Sequence, residues 1–321
     1  MSVEALGAGV TPVTSTARRM RASFVGLVRG ELRKLMHLRI TWILAAVITV
    51  FIVGAQLILV TGPDTGSQLR ADPLSAFYTV IEGDFALARV FSGIFLLVIA
   101  AHVIGLEYQQ GTIRILLGRG VGRLRLLGAK VTAILLVGMA LIVGELLIEL
   151  LFATGLTLAL ADGRLPWQAL NSGFWGSVGY YLLCLAINTV ATLALGVAAA
   201  VVGRSLAFGL AVGLSWFAVD NLLTIPLGIL ARVTQNTFWA NLSGALLGPV
   251  LNRLPDEIAP PGIQIVQGPH GPVTVTHALS GFGPQTLVPV PGSHALLVIG
   301  LYVAVFAVVA VVLTWRRDVL E

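Results

Sequence analysis

The sequence predicts an all-α polytopic membrane protein with six transmembrane helices. Three observations carry that reading: 57% of the 321 residues are hydrophobic, only 11% are charged, and the mean hydropathy is +0.93. Soluble domains carry about 25% charged residues. A chain this poor in charge cannot cover a globule with polar surface, so lipid must supply much of its solvent. The net charge of +5 does not imply a nucleic-acid partner. The basic residues crowd into short segments flanking apolar runs, which is a topology signal. Cys184 is the only cysteine, so the chain forms no intramolecular disulfide and no cysteine-based metal site.

Residues 1–21 hold Gly, Thr, Ser and Pro, then Arg18, Arg19 and Arg21, with no short apolar region leading to a cleavage site. They read as a flexible cytoplasmic tail and not as a signal peptide. In 22–39, Phe24, Leu27, Val28, Leu32, Leu35 and Met36 recur at helical spacing, with Arg29, Arg33 and His37 between them. The result is a basic amphipathic helix suited to the headgroup layer, with Glu31 and Lys34 placed for a weak i,i+3 pair.

A crossing helix needs about 20 mostly apolar residues. Six stretches qualify: 40–60, 85–106, 131–160, 178–202, 206–230 and 295–315. The second carries Arg89 near one end, and the third is long enough to tilt or overshoot the bilayer. Trp42 and Trp315 read as interfacial anchors. Among the connections, 61–84 is acidic and turn-rich, and 162–177 is short. Segment 231–293 is long and rich in proline and glycine. Within it, the β-branched runs 263–266 and 273–276 flank a glycine- and proline-containing turn and read as a small β-hairpin. The apolar stretch 224–247, broken by Pro226 and several glycines, reads as a re-entrant dip. Such backbone is tolerated only where protein or water satisfies it. Residues 294–321 hold the last span and a cytoplasmic C-terminus.

Lysine and arginine fix the orientation. Fifteen of the twenty fall before the first span, between the second and third, between the fourth and fifth, and after the sixth. The positive-inside rule therefore puts both termini in the cytoplasm, and an even number of spans agrees.

The segment between the second and third spans is unlike an ordinary loop. Thr112 stands where it can cap a short helix holding Ile113, Ile115, Leu116 and Leu117, and Gly118, Gly120 and Gly122 then break it. This element, about 111–122, hangs between two spans on the cytoplasmic side, where it can pass motion from a docked soluble partner. Glu107, Gly111, Thr112, Arg114, Leu116, Leu117, Val121, Arg123 and Lys130 together resemble the corresponding segment of ABC type-2 exporter permeases. Glu31, Lys34 and Arg39 before the first span, and Trp315 to Asp318 after the last, are similar to that family too. The resemblance implies a coupling helix after Gly111 that presses into a groove of an ABC ATPase subunit. It implies an interface helix over 22–39, with Glu31, Arg33 and Lys34, beside the same subunit. It also implies two ATPase copies, a second copy of this or a similar six-span permease, and a bacterial or archaeal plasma membrane. The length of 231–293 departs from the family's simpler re-entrant connection.

A P-loop needs Gly, four residues, then Gly-Lys-Ser/Thr to cradle phosphates. Lys34 follows Arg33 and Lys130 follows Ala129, so neither fits. The chain is expected to be non-catalytic, binding no cofactor directly, with ATP and Mg²⁺ on the partner. The alternatives are an ion-driven secondary transporter, or a membrane anchor or sensor whose external segment binds a partner.

Glu145 and Glu149 share one face of the third span, Asn188 lies in the fourth and Asp220 in the fifth. A charge at the bilayer centre costs about 3 kcal/mol, so these groups should face protein or water. They are candidates for the translocation path, as a cation or proton route or as a polar lining; interhelical hydrogen bonding is the other reading.

Overall fold

A computed structural model describes residues 23–61, 73–118, 120–160, 172–258, 263–268, 271–276 and 285–316. The expected tail over 1–21 and the end of the chain past 316 lie outside them, as does Arg119.

Helix α1 (Phe24–His37) starts at Ser23, whose Oγ accepts from the Gly26 N–H at 3.0 Å, satisfying a donor that the first turn leaves open. Leu38 steps out of helical geometry, and α2 (Arg39–Thr61) leaves as the first span. Helix α3 (Pro73–Ala100) runs without interruption into one π turn (Ala101–Gly105) and a last α turn, α4 (Leu106–Gln109). Then come the short α5 (Thr112–Gly118), and α6 (Arg123–Leu160), α7 (Ser172–Gly203) and α8 (Leu206–Leu222). Helices α9 (Thr224–Thr234), α10 (Thr237–Leu242) and α11 (Leu247–Ile258) follow, and α12 (Gly292–Arg316) is the final span.

Six segments among the described residues are long and apolar enough to cross a membrane: Arg39–Ile58, Leu87–Gln109, Arg123–Leu156, Val178–Gly203, Leu206–Thr234 and Gly292–Arg316. The third begins at Arg123 and not at 131, because Leu126 and Leu127 are buried and carry the helix back to Gly122. Lys130 therefore lies on a span and not in a loop. The fifth halts at Leu222 and restarts at Thr224. Segment 231–293 is more regular than its composition suggests. It contains the end of α9, then α10, a 3-10 turn (Ser243–Ala245) and α11. The strands β1 (Ile263–Gly268) and β2 (Gly271–Thr276) pair antiparallel, Ile263 opposite Thr276 and Gly268 opposite Gly271.

The second and fourth spans form the spine. One apolar cluster joins Leu35 of α1 to Ile52, Phe95, Ile134 and Val197; a second joins Cys184 and Ala191 of α7 to Val250 and Leu254 of α11 and Phe306 of α12. The other spans leave residues such as Val50, Leu151 and Leu297 exposed, as lipid-facing positions should be. Small residues permit the close contacts. A Cβ on Gly105 would lie 2.6 Å from the Ser205 carbonyl oxygen, and one on Gly209 would lie 3.1 Å from Ala101 Cβ. Gly209 and Gly213 thus let the fifth span pack closely onto the protein's own second span, against Ala101 and Leu97.

By alternation, α1, α4, α5 and the junctions 203–206 and 316 share one end of the bundle, here the basic end. Helices α9 to α11 occupy the far end.

Candidate coupling site

At the basic end the structure gathers four charges that lie far apart in sequence. Lys130 Nζ stands 2.8 Å from Glu31 Oε1 and 2.7 Å from Glu107 Oε2; Lys34 pairs with Glu107 and lies 4.0 Å from Glu31 Oε2. Lys130 is 2% exposed, and Glu31 and Glu107 are also buried. Three elements meet here: α1 supplies Glu31 and Lys34, α4 supplies Glu107, and α6 supplies Lys130. Glu31 is therefore drawn inward against α6, and the pair expected between it and Lys34 is the longest of the four contacts. Burial, with the Lys130 ammonium beside it, holds Lys34 below the usual lysine range. The two buried acids are balanced by buried Lys130 and by Lys34 at the rim, as buried charges require.

Because Glu107 precedes α5 and Lys130 follows it, their contact pins the two roots of the arm together. Gly111, at φ +69°, supplies the left-handed turn that glycine makes at low cost and sends α5 away from α4. Thr112 is the first residue of α5, and its hydroxyl donates to the Glu107 carbonyl at 3.3 Å instead of capping the helix. Ile113 is buried, Leu116 and Leu117 are half-buried, and Ile115 is 61% exposed. Ile113, Leu117, Arg123, Lys130 and Thr314 line a small cavity beneath the arm. Arg123 Nη1 donates to the Trp315 carbonyl at 3.4 Å, tying the arm's exit to the last span. The Arg114 side chain lies outside the described residues, and Arg33 is exposed on α1. The arm is thus joined to spans two, three and six and to α1.

A family model described as ABC-2 family transporter protein matches residues 27–220, more than half the chain. The chain belongs to that family. It is a multi-pass membrane protein and a permease component of an ABC transporter, and the family implies association with an ABC ATPase subunit. No curated protein matches the chain in sequence.

Within this ABC-2 permease the intramembrane polar residues fall into two groups. Glu145 Oε1 accepts from Thr49 Oγ1 at 2.6 Å, midway along the first span. Glu145 and Glu149 line a cavity whose other walls, Ile81, Ala88, Ile142, Leu146 and Leu185, are apolar. Asn188 and Asp220 line a different cavity, toward the far end. There Asn188 Nδ2 donates to the Arg89 carbonyl at 3.0 Å, and Asp220 Oδ2 accepts from the Gly248 N–H at the start of α11.

Three residues that matter here have roles that a reading of the ABC-2 permease's sequence does not give. Arg89, 2% exposed, donates from Nη1 to the carbonyls of Leu251 at 3.4 Å and Asn252 at 3.1 Å; in sequence it is one flank charge among several. Thr49 is an unremarked hydroxyl in an apolar run. Gly105 is one glycine of 36. A visible signal exists only for Arg89, since a charge inside a span demands a partner.

Proposed function

We propose that this ABC-2 permease is the membrane half of an exporter, with its basic end in the cytoplasm and ATP hydrolysis, with its Mg²⁺, on two copies of a separate ATPase subunit. The charge cluster of buried Glu31, Glu107 and Lys130 with the more exposed Lys34 carries the reading. An arm whose roots are pinned to each other and to α1 moves as one body with the spans it joins. Ile115 at its surface offers a partner an apolar handle. Push on the arm from an ATPase closing on ATP would reach the second, third and sixth spans together. A second copy of this chain, or a similar six-span permease, completes the path. The cavity holding Glu145 and Glu149 between apolar walls supports an amphipathic or hydrophobic cargo, drug-, peptide- or lipid-like, or a cation.

The test replaces Gly111 with Ala in the complex isolated with its ATPase. Nothing lies within 4 Å of a Cβ there, so the strain is confined to the backbone turn that sets the arm's direction. The complex should still assemble and hydrolyse ATP while export from vesicles falls. Unchanged export would remove the coupling role from the arm, and failure of any ABC ATPase to co-purify with the wild-type chain would remove the exporter reading itself.

A further inference from the structure

Helix α11 is an amphipathic segment wedged into the far end of the bundle. It packs on α7, α8 and α12, with Leu247, Val250, Leu251 and Leu254 buried. What holds it there is unusual. In a helix the Leu251 carbonyl would accept from the N–H of residue 255, but that residue is Pro255, which has none. A buried carbonyl without a donor is costly, and the missing donor arrives from another span: Arg89 Nη1 reaches the Leu251 and Asn252 carbonyls. At the other pole of α11, Asp220 takes the Gly248 N–H. A carboxylate at the N-terminal pole and a guanidinium on carbonyls nearer the C-terminal pole both match the helix dipole. Asn252 Nδ2 donates to Asn221 Oδ1 at 2.9 Å between them.

Arg89 and Asp220 line one cavity, and they are the only charged residues that do so among the described residues. Both hold backbone groups of α11, so lifting α11 would break these contacts of both side chains together. Two buried opposite charges facing one cavity have an evident recourse, which is each other.

We propose that α11 is the movable closure of the far end, clamped shut by Arg89 and Asp220 acting on its two poles, and that these side chains pair with one another when α11 lifts. Arg89 is thereby a positioning residue for the outer closure. The proposal rests on the exporter reading only in its second half, since a transporter needs that end to open and the clamp itself does not depend on it.

The chain contains its own reporter. Cys184 is the only cysteine, is buried, and packs in the same cluster as Val250, Leu251 and Leu254 of α11. Its alkylation by N-ethylmaleimide, measured in the complex in lipid nanodiscs, reads whether α11 is seated. Without ATP, Arg89→Gln should label at least about tenfold faster than wild type, by the loss of a charged hydrogen bond. Arg89→Lys, which keeps a charged donor, should return most of the way. Pro255→Ala placed in the Arg89→Gln background should slow labelling again, because it gives the Leu251 carbonyl a helical donor. A merely space-filling Arg89 would show neither rescue. With ATP and Mg²⁺, wild-type labelling should rise. Asp220→Asn, which keeps an acceptor for Gly248 but cannot form the ion pair, should blunt that rise. Wild-type rates in Arg89→Gln would overturn the clamp, and an undiminished ATP response in Asp220→Asn would overturn the exchange of partners. A wild-type complex indifferent to ATP, with Arg89→Gln still fast, would count against the opening half and the exporter reading while the clamp stands.

Discussion

Lys130 Nζ lies 2.7 Å from Glu107 Oε2 across an intervening arm of the chain, and both side chains are buried. The contact closes a loop of twenty-two residues that joins two membrane spans, which is the geometry of a lever with a fixed root. Removing Lys130 leaves two buried carboxylates to share the single, more exposed Lys34, and breaking a buried pair costs up to about 3–5 kcal/mol. Lys130→Met should therefore lower the midpoint of thermal unfolding in detergent sharply. Joining it to Glu107→Gln should cost much less than the sum of the two single changes. Additive losses would mean that the two groups do not interact.

Gly105 predicts a steric failure. A Cβ there would lie 2.6 Å from a backbone oxygen, Ser205 O, which has no rotamer by which to withdraw. Gly105→Ala should destabilise by about 1–3 kcal/mol, the usual cost of overpacking. Gly54→Ala, at a site with nothing within 4 Å, is the matched control and should be neutral in the same unfolding assay.

Gly248 predicts a milder failure of the same kind. Its Cβ would come within 2.5 Å of Asn221 Nδ2, the far end of a flexible side chain. Gly248→Ala should displace Asn221 from Asn252 and cost about 1 kcal/mol, one neutral hydrogen bond. If that is the route, Asn221→Ala should abolish most of the penalty in the double variant.

Thr49 and Glu145 predict an asymmetry. Thr49→Val keeps the shape but leaves the Glu145 carboxyl without its 2.6 Å donor, at about 1–3 kcal/mol. Replacing both, as Thr49→Val with Glu145→Leu, should restore most of that stability because no polar group is then stranded. Comparison of the three unfolding midpoints decides it.

Much of this was legible in the amino-acid order. Apolar length gave the six spans, and short motifs singled out Glu31, Lys34, Glu107 and Lys130. Their convergence was not legible, since α1, α4 and α6 meet only after the spans pack; the motif reading divided the four between two separate elements. The helix of the third span starts at Arg123, ahead of the apolar run from 131, because Leu126 and Leu127 are buried. Arg89 is visible as a charge in the second span, but its role is not. Its partners are main-chain carbonyls 162 and 163 residues away, and main-chain groups carry no sequence signature. The short helices of the far end had one readable mark, Asn236, whose Oδ1 accepts from the Phe238 N–H at 2.9 Å to start α10.

The π turn at Ala101–Gly105 sets the phase of the whole second span. Arg89 and Glu107 stand eighteen residues apart, which at 3.6 residues per turn is five whole revolutions and would aim both along one line. The wider turn absorbs about one residue and swings everything after it by roughly 100°. That offset lets a single rod address α11 with one hand and α1 and α6 with the other. Straightening it would rotate one of these contacts out of engagement, so any axial twist delivered at the root would be felt at the opposite rim.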